Sequence, residues 1–142
     1  VLASDAFRDQ GFLISADPGT IAVPGCETAT AVAVVTDPDG RKFLTSSTPD
    51  DPAACHTVPM MIKFFREAPA GAVTLTPVTE GTLVMDVGYV NLQRRTLPSL
   101  SVTAEQARAG GGVDFLLVRP KAQDGAATAP VALTALTVTP LR

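Results

Sequence analysis

The stretch TAVAVVTDPDGRKFLT, residues 30–45, decides the fold class. Its first half sets apolar, largely β-branched residues on consecutive positions, which reads as a strand buried on both faces rather than as a helix. Asp37-Pro38-Asp39-Gly40 then supplies a proline that presets φ and a glycine that accepts positive φ, and Lys42-Phe43-Leu44-Thr45 resumes an extended pattern. Two such runs around such a turn predict a β-hairpin.

Outward from the hairpin the same grammar repeats. Towards the N-terminus, Phe12-Leu13-Ile14 reads as a first strand after Gly11, Asp17-Pro18-Gly19 as a turn and residues 20–23 as extended chain before Pro24-Gly25 bends into Cys26. Towards the C-terminus, residues 46–54 read as a surface loop, and 58–65 as the most apolar strand, with Pro59 near its start. Ala68-Pro69-Ala70-Gly71 is expected to turn the chain, Val73 to Thr76 alternate with period two, and Glu80-Gly81 turns it again. Leu83, Met85 and Val87 are expected on one face and Val84, Asp86 and Gly88 on the other. Gln93-Arg94-Arg95 reads as a polar tip and 97–102 as a weaker strand. Thr103 with Gln106 three residues later has capping-box spacing, and Gly110-Gly111-Gly112 stops the short helix that follows. Residues 113–118 and 131–138 close the series around a polar loop at 121–129. Many short strands with a turn about every ten residues imply a sandwich or barrel. The expectation is therefore a single all-β domain over 1–142, an antiparallel β-sandwich, preferably a jelly roll, with one short helix.

Composition narrows the partners. The chain is 46% hydrophobic and 18% charged with a net charge of -3, so it has no positive stripe of the kind that binds nucleic acid. No apolar run is long enough for a membrane-spanning helix. The chain starts at Val1, which reads as a mature or trimmed product. Low charge with many Thr, Ala, Val and Pro suits an exported β protein, placed extracellularly, in a periplasm or at a cell surface. The only two cysteines, Cys26 and Cys55, lie beside loop residues, and a disulfide between them is expected, although two reduced thiols would read identically.

The order of elements resembles the jelly-roll sandwiches of carbohydrate-binding modules and related secreted or surface-anchored bacterial domains. The resemblance lies in the early element from Phe7 to Ile14, the strand Met61-Ile62-Lys63-Phe64-Phe65, the hairpin through Val73 and Val84, and the closing strand around Thr134 to Thr139. It implies a sandwich that binds a glycan or a protein, in some members with a structural calcium ion. Sugar-binding members stack rings on exposed Trp or Tyr, whereas this chain has no Trp and only Tyr89.

Several clusters contain the ingredients of chemistry without its pattern. Asp37 and Asp39 supply two oxygens of the six to eight that calcium takes, and hairpin chemistry already explains both. A calcium site from Asp5, Asp9 and Asp114 would have to be assembled by the fold. Cys55-His56 with Met60 and Met61 offers copper ligand types, but a blue-copper centre takes two histidines and this chain has one. Ser46, Ser47, His56 and Asp50 or Asp51 supply triad components without a nucleophile elbow. Glu27, Glu67, Glu80 and Glu105 are scattered beside turn signals and read as solvated rather than as a glycosidase pair. The triple glycine lacks the Lys and Ser/Thr of a phosphate loop.

The expected function is thus non-catalytic: an interaction or structural module that meets a protein partner or itself, with carbohydrate binding as the alternative and no cofactor beyond a possible calcium ion. Candidate contacts are Tyr89, Arg94, Arg95, Asp50 and Asp51. An exposed strip containing Tyr89 would favour sugar, and a broad apolar or Thr-rich face would favour protein.

Overall fold

The hairpin forms as expected and is one of a series. In chain order the strands are β1 (Phe12–Ala16), β2 (Ala31–Thr36), β3 (Lys42–Ser47), β4 (Met60–Phe64), β5 (Ala70–Pro77), β6 (Leu83–Tyr89), β7 (Arg94–Leu97), β8 (Ser101–Val102), β9 (Val113–Pro120) and β10 (Ala132–Pro140); the helix is α1 (Ala104–Ala109). The structure, a computed structural model, describes residues 6–19, 25–65, 69–91, 94–121 and 130–140. The expectations placed on Thr20 to Val23, on Asp5, Glu67 and Gln93, and on the loop beyond Lys121 lie outside the described residues.

All the strand pairings are antiparallel, and the fold is all-β with one short helix. They fall into two runs, β1-β4-β9-β6-β7 and β8-β5-β10-β3-β2. The single pair Ala70↔Val113 joins them where β5 leaves the end of β4, and Ala16 N donates to Thr30 O where β1 approaches β2. The result is one sheet, nearly barrel-shaped, whose inner surface is a single core. Ile14, Ile62, Met85 and Leu116 from the first run meet Val32, Val73, Val102 and Leu133 from the second, all at most 2% exposed.

Local chemistry explains the ends of elements. Asp37 accepts from the backbone N–H of Asp39 and Arg41, so the Asp-Pro-Asp-Gly turn is held by its own first side chain. The capping box is complete: Thr103 Oγ1 accepts from Gln106 N, and Gln106 Oε1 accepts from Thr103 N.

The structure corrects four expectations. Residues 30–36 are not buried on both faces, because Val34 is 50% exposed. Ser46 and Ser47 belong to β3 and are fully buried, and Ala70 and Gly71 open β5 instead of forming a turn. The alternation expected of β6 holds, with Leu83, Met85 and Val87 in the core and Asp86 and Gly88 on the other face, which Phe115, Arg119 and Arg94 cover. Arg94 and Arg95 lie in β7, an edge strand, where exposed charges discourage further pairing.

Candidate functional site

The core opens to the outside between β3 and β10. These strands pair at only two positions, Ala132↔Thr45 and Leu133↔Leu44, and the closed end is fixed by Thr45 Oγ1 donating to Val131 O at 2.8 Å inside the protein. The register of β10 against β5 then shifts between Leu133 and Ala135, while Thr134 Oγ1 donates to Thr76 O. Such an irregularity bends a strand and increases its twist. Beyond it β10 follows β5, β3 follows β2, and the two strands part.

The gap is an apolar cleft of about 650 Å³, within the usual range for ligand pockets. Its walls are Val34 and Leu44 on one side and Leu136 and Val138 on the other. Phe7 and Phe12 line its floor, stacked at 5.2 Å between ring centroids, and Phe12 in turn packs on Phe64 in the core. Among the described residues lining it, Lys42 is the one that carries charge, with Gln10, Thr134 and Thr137 as polar neighbours. A smaller cavity of about 330 Å³ lies beyond Phe43, bounded by His56, Val78, Thr82 and Pro130. Next to the cleft, the outer face of β5 and β10 presents a row Ser101–Thr74–Thr137, with Thr76–Ala135 and Ala72–Thr139 beside it. Thr74, Thr76, Thr137 and Thr139 are exposed, so this face is threonine-rich and uncharged.

The candidates read from sequence are dispersed. Tyr89 is 4% exposed, and its ring lies directly against Gly110 after the helix, so it offers no surface platform. Both carboxylate oxygens of Asp37 are engaged, Oδ1 by backbone N–H groups and Oδ2 by Arg41 Nε at 3.1 Å, so this side chain serves the turn. Hydrogen bonding from the Arg41 backbone is the chief reason that its carboxyl lies below the usual carboxylate range. Asp39 is exposed in the same turn. Among the described residues no three His, Cys, Asp or Glu side chains converge as a metal site.

Cys26 and Cys55 form a disulfide, which takes Cys55 out of any copper or thiolate chemistry, and Met60 is fully buried in the core. The triad components are not assembled: Ser46 Oγ donates to Cys55 O, Ser47 Oγ is buried without a partner, and His56 Nε2 bonds to Pro52 O. Asp50 and Asp51 are exposed in the loop, where Asp51 Oδ1 accepts from Ala53 N. Glu27, Glu80 and Glu105 are exposed on separate elements.

Arg94 joins a group on the outer face of the first run that sequence reasoning did not find. Asp86 accepts from Arg119 Nε at 2.9 Å, from Arg119 Nη2 at 3.3 Å and from Thr96 Oγ1, while the Arg94 guanidinium lies 3.9 Å away and over the Phe115 ring. Burial pushes the Asp86 carboxyl upward, but hydrogen bonds from Arg119 and Thr96, with the charges of Arg119 and Arg94, outweigh it and hold the carboxyl below its usual value. A carboxyl depressed in the folded state contributes stability that is complete above the unfolded value, near pH 4, and is lost as pH falls through the folded value. The urea midpoint of the native protein is therefore expected to fall more between pH 6 and pH 3 than that of Asp86→Asn. Equal falls would remove Asp86 as a source of acid sensitivity.

The residues that form the cleft had a legible signal in one strand. From Val131 into β10 the apolar positions run Val131, Leu133, then Leu136 and Val138, so the alternation slips by one at the irregularity. Compared with protein-family models, with curated proteins and with solved structures, the chain matches none.

Proposed function

We propose that the domain is a non-catalytic interaction module of a secreted or cell-surface protein, and that a protein partner occupies the cleft between β3 and β10. The observation that carries this reading is the open cleft itself, where Val34, the most exposed of the large apolar residues described, sits over a floor of stacked phenylalanine rings. Exposed apolar surface continuous with a core is costly to leave in water and is the usual mark of a binding site. The adjacent threonine-rich face supports a protein partner, because it is uncharged and free of the rings on which sugars stack. Export is supported by the disulfide, which persists in oxidising compartments. No described helix is long and apolar enough to cross a membrane. An exposed strip containing Tyr89 would have favoured sugar, and that ring is inside the protein.

A photo-crosslinking side chain placed at Val34 in the source cells tests the proposal. The expected adduct is a single polypeptide, obtained from position 34 but not from position 105 on the helix. A glycan-array signal that Val34→Asp abolishes, with no peptide adduct, would overturn it.

A further inference from the structure

On that reading of the cleft, we infer that its occupant is an extended polypeptide segment that adds as a strand to the free edge of β10, with an acidic side chain directed to Lys42. From Ala135 to Pro140 the strand is paired with β5 on one side, and no described strand lies on the other. β3 likewise pairs with β2 alone at Lys42 and Phe43. Both walls therefore present backbone N–H and C=O groups as well as apolar side chains.

This combination separates the possible occupants. A lipid chain or other wholly apolar body would cover those backbone groups without bonding to them, and a buried peptide group left without a partner costs free energy comparable to a lost hydrogen bond. An extended segment satisfies the edge and the apolar walls together, because successive side chains of a strand point to opposite faces. Every second residue would enter the cleft against Phe7, Phe12, Leu136 and Val138, and the residues between would continue the threonine-rich outer face. Six residues of β10 offer an edge of roughly 20 Å at the rise of an antiparallel strand. Charge sets the remaining preference. Lys42 is exposed at the mouth and, among the described residues, no acidic side chain lines the cleft, so a carboxylate on the incoming segment has a cation to meet and a lysine there has a like charge to face.

The test uses five probes on the whole chain: a blocked heptapeptide of one Glu followed by alternating Val and Thr, its counterpart with Lys in place of Glu, the Glu peptide N-methylated on either of its two alternate sets of amides, and sodium octanoate. Binding is read by titration and by backbone hydrogen exchange over residues 132–140. The expected result is binding of the parent peptide, at least tenfold slower exchange in β10, and at least a tenfold difference in affinity between the two methylated forms. Lys42→Glu is expected to weaken the Glu peptide at least threefold and to strengthen its Lys counterpart. Equal binding of the two methylated forms would overturn strand addition while leaving the cleft as a binding site, and octanoate binding alone would assign it to an amphiphile. Failure of every probe to bind would overturn both this inference and the reading it rests on.

Discussion

Replacing both cysteines by serine is expected to lower the unfolding free energy by about 3.5 kcal/mol, the largest effect expected of any change outside the main core. The bond joins positions 29 residues apart, and a loop of that size removes much of the freedom of the unfolded chain. Its folded surroundings add little, since among the described residues the apolar cluster that holds Cys26 and Cys55 contains just Ala16, Ala29 and Val58 besides and is separate from the main core. The effect therefore acts mainly through the unfolded state, and urea denaturation of C26S/C55S should show a lower midpoint. A loss below about 1 kcal/mol would mean that the loop is ordered without the cross-link, given the usual range for such bonds.

Gly110→Ala is expected to destabilise the domain by about 2 to 3 kcal/mol, although local propensity predicts the opposite sign. Gly110 has φ -92°, which any residue adopts, and at such a position alanine ordinarily stabilises relative to glycine by up to about 1 kcal/mol, because it restricts the unfolded chain. Space reverses this. A Cβ at Gly110 would stand 2.4 Å from Tyr89 Cγ and 2.7 Å from Tyr89 Cβ, and the Cβ is fixed to the backbone of β6. The ring is buried and has little room to retreat, so the helix end or the strand has to shift. Thermal and urea unfolding of the variant check the sign directly; an unchanged or raised midpoint would show that the contact between α1 and β6 yields freely.

Those two positions also mark how far the residues could be read without the fold. The Asp-Pro-Asp-Gly hairpin, the capping box at Thr103 and Gln106, and the strand beginning at Pro59 and Met60 were legible because each depends on neighbours a few residues away. The partner of Cys26 was legible for a different reason: there was only one other cysteine. Tyr89 is a candidate contact in the sequence because it is the one Trp or Tyr on which a sugar ring could stack, and its burial depends on Gly110, twenty-one positions away in the chain. The Asp86, Thr96 and Arg119 group escaped notice because its members come from three strands that become neighbours only through the pairing of β6 with β7 and β9.

The same division applies to the cleft. By itself the sequence of residues 30–45 determined that the chain is β-rich and where its first hairpin turns, since turn chemistry and side-chain period are local properties of the backbone. It could not determine that Val34 faces an opening, because an apolar run looks identical whether a strand covers it or stands apart from it. That was decided by β10, about a hundred residues later, which pairs with β3 for two residues and then follows β5 after the slip at Thr134. Long-range pairing and the bend of one strand decide which apolar residues remain uncovered, and so where a partner can bind.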